Sequence, residues 1–204
     1  MKRGREVIMY KKQMSLQRIV CLLSIIASAV VFIYSLGMMT DLFDMLYNMI
    51  PDPEDLDTAR VAGARIYYDM QGFNRTLLRG SIGLILLSCL LYLTNTHVRR
   101  KYYVGNYVAT GLNVAANCFV AFWAHGQIAY YKDWYLNNVD FAQLERRLSR
   151  VGTYTDSTFW FDIHIAVFAL TLIVSLLLIL NVIWKIKVMG DEKRLLQAGK
   201  AVSA

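Results

Sequence analysis

Four long apolar runs constrain the fold of this 204-residue chain more than any other feature. The runs cover residues 19–39, 77–96, 102–125 and 159–184. A helix needs about 20 apolar residues to cross the hydrocarbon core of a bilayer, and each run is close to that length. Backbone amides in lipid must bond within their own segment, so each run is predicted to be a helix. We therefore predict an all-α integral membrane four-helix bundle, with the whole chain forming a single membrane domain.

Composition and charge support a membrane protein and predict its orientation. The chain is 56% hydrophobic and 18% charged, whereas soluble domains are about 45–50% apolar and about 25% charged. Of its 22 Lys and Arg residues, 14 lie in three segments, namely residues 1–18, 97–101 and 185–204. The positive-inside rule places these segments in the cytoplasm and the loops 40–76 and 126–158 outside. The net charge of +7 is thereby explained without a nucleic-acid partner.

Both outer loops carry helix signals and are predicted to form a small helical cap. Residues 40–50 are amphipathic at helical spacing, and the Pro-Asp-Pro break at 51–53 is followed by acidic residues typical of a helix start. We expect that second helix to run toward the second apolar run. In the other loop, Asp140 and Gln143 resemble a capping box that opens a helix ending near Gly152.

The third apolar run carries a stripe of polar side chains. Its members are Asn106, Thr110, Asn113 and Asn117. Their spacing of i, i+4, i+7 and i+11 puts them on one face of a helix. The fourth run carries a further set on one face, His164, Thr171 and Ser175, and the first run has a face of small hydroxylated residues. Such side chains either bond between helices, at about 0.6–2 kcal/mol each, or face a polar cavity or path.

The titratable residues offer few candidates for a metal, proton or catalytic site. Asp162, His164 and His125 fall at similar depth, but residues two apart on a helix point in nearly opposite directions, which leaves only a His125–His164 pair. The acidic cluster at 52–57 lacks the spacing of a calcium loop and is explained by helix capping. No catalytic, metal or cofactor-binding motif is present, so no cofactor is expected and the chain is predicted not to be an enzyme.

Aromatic side chains are concentrated in the predicted outer loops. They are Tyr67, Tyr68, Phe73, Tyr130, Tyr131 and Trp134. Aromatic residues of this kind serve as contacts for partner proteins or ligands, and equally as packing between outer helices. We predict that this set includes contacts to a partner or an extracellular ligand.

The plan of four spans, cytoplasmic termini and two outer loops resembles that of tetraspanins, claudins and connexins. Those families carry paired cysteines in the outer loops, whereas Cys21, Cys89 and Cys118 all lie within apolar runs. The likeness is therefore one of topology, and it carries over no residue role. A chain without outer disulfides is expected in the plasma (inner) membrane of a bacterium, as a multi-pass protein with both termini cytoplasmic.

Two functions follow from these patterns. The first is a non-enzymatic accessory or assembly subunit in the lipid bilayer, whose outer helical cap contacts a partner protein, a second copy of the chain or an extracellular ligand. The second is a small oligomeric transporter or channel-like protein in which the Asn stripe lines a path. Ion and proton paths usually place a charge at mid-membrane, and the apolar runs hold none there, which favours the first.

Overall fold

A computed structural model describes residues 2–47, 62–63, 66–95, 103–148 and 158–202. These residues are almost wholly helical and contain no strand. The helices are α1 (Lys2–Tyr47), α2 (Ile66–Asn95), α3 (Tyr103–Asn138), α4 (Phe141–Leu148), α5 (Phe159–Asp162) and α6 (His164–Val202). The predicted all-α class is confirmed.

Four of these helices are long and apolar enough to cross a membrane. Their membrane-length stretches are Lys12–Met38, Tyr68–Thr94, Val104–Asn138 and Phe159–Asp191. Each overlaps one predicted apolar run and is longer than it. Four membrane-length helices are thereby confirmed, and the boundaries of the spans and loops stay predictions.

The long helices bury polar side chains and expose large apolar ones. Ser24 and Asn113 are 1% and 0% exposed, whereas Ile33, Leu86 and Phe119 are 65%, 65% and 70% exposed. A water-soluble bundle has the opposite arrangement. In lipid, burying leucine gains little, so helices associate through small residues, close packing and hydrogen bonds between polar side chains.

The chain divides into two compact units, each described here by itself. Unit 1 comprises Met1–Ser28, Leu84–Cys118 and Leu170–Ala204, and unit 2 comprises Ala29–Gly83 and Phe119–Ala169. Unit 1 uses parts of α1, α2, α3 and α6, which meet around a small apolar cluster. The cluster consists of Val20, Cys21, Leu91, Ala109 and Leu178. Small members such as Cys21 and Ala109 keep the helix backbones close enough for short polar side chains to meet.

In unit 2, the segment that leads into α6 packs against α1. The hydroxyl of Tyr34 donates to the carbonyl oxygen of Trp160 at 2.9 Å, and the Tyr34 ring meets Phe168 edge-on with centroids 6.1 Å apart. Gly37 leaves space for the Trp160 ring, since a Cβ at this position would overlap it. These contacts fix the start of α6, which carries His164.

A turn at Ala62–Gly63 in unit 2 meets the end of α3. The amide of Asp140 donates to the carbonyl oxygen of Ala62 at 3.1 Å, and Gly63 has φ +81°, a left-handed conformation suited to glycine. The helix predicted from the break at 51–53 lies mostly outside the described residues. It does not continue unbroken into α2, because the backbone turns at Ala62–Gly63.

The short helix α4 begins with the predicted cap. Oδ1 of Asp140 accepts the backbone N–H of Gln143 at 2.9 Å, which is one half of a capping box. The structure describes α4 as far as Leu148, so its predicted end near Gly152 lies outside the described residues. The acidic cluster at 52–57 also lies outside them.

Candidate functional site: a buried polar seam

The predicted stripe on α3 lies inside unit 1. Asn106, Thr110, Asn113 and Asn117 are 1%, 6%, 0% and 2% exposed. We call these four residues, together with the buried polar side chains hydrogen-bonded to them or to one another in unit 1, the seam. Its further members are Gln13, Gln17, Ser24, Ser28, Ser88, Ser175, Asn181 and Lys185.

Asn113 and Asn117 join all four long helices in the middle of the seam. Oδ1 of Asn113 accepts from Ser24 Oγ at 3.1 Å and from Asn117 Nδ2 at 3.0 Å. Nδ2 of Asn113 donates to Ser88 Oγ at 2.9 Å, and Nδ2 of Asn117 also donates to Ser175 Oγ at 3.2 Å. Two amides of α3 therefore bond to α1, α2 and α6.

The hydroxyl donors around Asn113 are all used within unit 1. Ser24 donates to Asn113, and Ser28 donates to the Ser24 carbonyl at 2.8 Å. The single hydroxyl proton of Ser88 is then left for the oxygens of Ser24 and Ser28, both 2.9 Å away. Asn117 Oδ1 differs, because it is buried and has no hydrogen-bond partner among the described residues.

A second part of the seam surrounds Lys185, which is only 4% exposed. Oδ1 of Asn106 accepts from Lys185 Nζ at 2.8 Å and from Gln17 Nε2 at 3.0 Å. Gln13 Nε2 donates to Gln17 Oε1 at 3.0 Å and to Asn181 Oδ1 at 3.3 Å. The ammonium also lies 5.5 Å from the centre of the Tyr107 ring, so an amide oxygen and an aromatic face both stabilise its charge.

Several seam residues fall outside the predicted set. Gln13 and Gln17 precede the first apolar run, Lys185 follows the fourth, and Ser88 and Asn181 lie within runs. The available signal was helical spacing, because Gln13 and Gln17 continue the face of Ser24 at intervals of four and seven. The basic surroundings of the two glutamines instead indicated solvent.

The predicted set on the fourth run is divided between the two units. Ser175 lies in the seam, and its hydroxyl also donates to the carbonyl oxygen of Thr171 at 2.9 Å. The Thr171 side chain is buried in unit 1 at 1% exposure. His164 belongs to unit 2, where Nε2 lies 2.8 Å from Nδ1 of His125 on α3. The structure thus brings together the histidine pair that the sequence left open.

Asp162 does not join the histidine pair. Its Oδ1 lies 2.5 Å from Lys132 Nζ, and its Oδ2 accepts from the hydroxyl of Thr158 at 2.5 Å. This divergence of Asp162 and His164 agrees with their spacing of two residues. Among the described residues, no group of three or more His, Cys, Asp and Glu side chains converges to hold a metal ion.

The predicted aromatic contact residues differ in how much surface they offer. Phe73 is 6% exposed and packs on Trp123 and Tyr131, with ring centroids 5.4 and 5.8 Å away. Tyr131 donates its hydroxyl to the Asp69 carbonyl at 3.0 Å. Tyr130 is 61% exposed and rests edge-on against Tyr131. Tyr68 and Trp134 are half-buried, and the Tyr67 side chain lies outside the described ones.

No known protein-family model, curated protein or solved structure matches the chain. Functional assignment therefore starts from three features of the described residues: the seam, the histidine pair and the exposed ring of Tyr130. The three cysteines are free; Cys21 is buried, and Cys89 and Cys118 are half-buried.

Proposed function

We propose that the chain is a non-enzymatic integral-membrane accessory or assembly subunit whose outer helical part contacts a partner protein. The observation that carries the proposal is the internal bonding of the seam. Asn113 alone has three hydrogen-bond partners within the same chain. Side chains committed to one another hold helices together and leave few polar atoms to bind a passing solute.

The exposed ring of Tyr130 supports a partner contact. It is 61% exposed, while its neighbour Tyr131 is tied to α2 through the Asp69 carbonyl. A large ring held by a rigid neighbour loses little conformational entropy on binding, which is why tyrosine is enriched at protein interfaces. Tyr130 is accordingly the proposed centre of the contact surface.

The test is purification from the native membrane in a mild detergent, followed by native mass spectrometry. We expect a complex with a second protein in fixed stoichiometry. Tyr130→Ala should lower recovery of that protein at least tenfold while leaving the thermal unfolding midpoint of the chain unchanged. Leu180→Ala, which removes a side chain 52% exposed in unit 1, is the matched control and should retain the complex.

A chain recovered alone as a monomer would contradict the proposal. A complex made only of copies of this chain would replace the partner protein by self-assembly. Both outcomes are read from the same spectrum, since the mass of each complex identifies its composition.

A small oligomeric transporter or channel-like protein is the second candidate. The observation in its favour is Asn117 Oδ1, a buried acceptor without a partner among the described residues. An acceptor of this kind is satisfied by water, as expected at the edge of a wet path.

Osmotic swelling of proteoliposomes separates the two candidates. Glycerol and urea serve as neutral probes, and a potassium salt serves as the ionic probe. The accessory subunit should give swelling rates equal to those of protein-free liposomes. A rate that rises with protein and falls in Asn113→Leu and Asn117→Leu would favour the path.

A further inference from the structure

His125 and His164 form a hydrogen-bonded imidazole pair in unit 2. His125 lies on α3 and is exposed, and His164 opens α6 and is 4% exposed. Nδ1 of His125 is 2.8 Å from Nε2 of His164, and the rings are tilted by 30°. The other nitrogen of His164, Nδ1, contacts the carbonyl oxygen of Phe161 at the break between α5 and α6.

The partners of each nitrogen determine where the protons lie. A carbonyl oxygen only accepts, so Nδ1 of His164 carries a proton and donates to Phe161. A neutral imidazole has one N–H, which makes Nε2 of His164 an acceptor. The proton between the rings therefore belongs to Nδ1 of His125. Nε2 of His125 therefore keeps a lone pair that can accept a proton, and it belongs to the exposed ring.

We propose that this pair is a binding site for one proton, taken up from water at Nε2 of His125. Protonation at that atom forms an N–H bond and leaves both existing hydrogen bonds intact. A second proton would have to enter Nε2 of His164. Two N–H groups would then face each other across 2.8 Å, and both rings would carry positive charge. The pair accordingly accepts one proton where two separate histidines would accept two.

The charged groups around the pair are already matched. Lys132 on α3 and Asp162 on α5 act on His164, and their side chains lie 2.5 Å apart as an ion pair. From α1, the neutral hydroxyl of Tyr34 is committed to the Trp160 carbonyl. Arg75 and Arg79 of α2 are exposed. Proton uptake therefore adds one positive charge to the exposed side of α3.

The test is nitrogen NMR of the full chain, labelled with ¹⁵N-histidine and reconstituted in phosphatidylcholine nanodiscs, between pH 8 and pH 5. His97→Gln removes the one histidine of the sequence outside the pair, so only the pair is observed. At pH 8 we expect two protonated nitrogens, Nδ1 of each ring. On acidification only Nε2 of His125 should change from unprotonated to protonated.

Two results would overturn the proposal. One is protonation of Nε2 of His164 over the same pH range, which would make two proton sites. The other is a proton on Nε2 of His125 already at pH 8. If His97→Gln fails to fold, the unmodified chain gives the same answer, because its three histidines should gain two protons between pH 8 and pH 5, whereas three independent histidines would gain three.

His125→Gln and a metal addition complete the test. His125→Gln removes the proposed acceptor atom, so no proton uptake should remain at position 125. Equimolar Zn²⁺ at pH 7.5 should leave both facing nitrogens unchanged, since the pair lacks a third protein ligand among the described residues. A Zn²⁺-induced shift of both nitrogens, with release of one proton, would instead assign a metal site and overturn the inference.

Discussion

At the scale of single residues, the seam depends on which atoms of each amide are bonded. Asn113 uses its carbonyl oxygen twice and its amino group once, and these three bonds reach Ser24, Ser88 and Asn117. Removing one partner from a buried network leaves the others unsatisfied, which costs more than the bond itself contributes. The central amide is therefore expected to dominate the stability of unit 1.

Asn113→Leu should lower the free energy of unfolding by about 1–3 kcal/mol, because three hydrogen bonds are lost and their partners stay buried. Ala115→Leu introduces the same side chain on an exposed position of α3 and should change stability by less than about 0.5 kcal/mol. Thermal unfolding in detergent or reversible unfolding in bicelles provides the measurement. Equal losses in both variants would show that the amide bonds contribute nothing specific.

Asn117→Leu should cost less than Asn113→Leu. Asn117 makes two donated bonds, and its Oδ1 has no partner among the described residues, so leucine also removes an unsatisfied atom. The comparison uses the same unfolding assay on both variants. A larger loss for Asn117→Leu would mean that its carbonyl oxygen is bonded in the native membrane.

Residue chemistry also explains what the sequence did and did not predict. The stripe on α3 stands out because asparagine is rare in an apolar run. Its burial was predictable because a polar side chain facing lipid is costly. Ser88 carried no such signal, since serine is common in membrane helices and its pairing with Asn113 depends on how α2 is rotated. Helical spacing gives the face of one helix but not the partner on the next.

At the scale of elements, the long helices extend past their apolar runs and carry the polar face with them. α1 begins at Lys2, and its Gln13 and Gln17 are 1% and 2% exposed. Lys185 on α6 is buried as well. Hydropathy averaged over about 19 residues cannot register single buried polar positions beside a basic segment, so this part of the seam was not predicted.

Gly37 offers a test of element packing. A Cβ at this position would overlap the Trp160 ring, so Gly37→Ala should displace the start of α6 and lower stability by about 1–3 kcal/mol. Gly111→Ala on α3, where no atom lies within 4 Å of an added Cβ, should raise stability by about 0.5–1 kcal/mol. Both changes are measured as shifts of the unfolding midpoint.

The reason for the Gly37 effect is tested by a second substitution. In a Trp160→Leu background the ring that overlaps is gone, so Gly37→Ala should lose most of its cost. A cost that persists in this background would assign the effect to α1 itself rather than to its contact with Trp160.

At the scale of the whole molecule, the placement of apolar and polar side chains suits a lipid environment. The four long helices expose leucine, isoleucine and phenylalanine and bury serine and asparagine. Length and hydropathy alone predicted these four helices, because crossing the hydrocarbon core demands both. The proposed contact surface at Tyr130 was predictable only as one of six aromatic residues, since which of their rings remain exposed depends on how the helices pack.

The orientation of the chain is the prediction that belongs to this scale. The three basic segments should lie in the cytoplasm, because 14 of the 22 Lys and Arg residues are concentrated there.

In a chain whose three native cysteines are replaced by alanine, Asn137→Cys and Arg194→Cys introduce thiols at exposed positions of α3 and α6. A membrane-impermeant maleimide applied to intact cells should label Asn137→Cys fully and Arg194→Cys only after permeabilisation. Both sites are exposed, so accessibility to the reagent depends on the side of the membrane. Labelling of Arg194→Cys on intact cells would reverse the orientation and place Tyr130 on the cytoplasmic side, where the partner would then have to be sought.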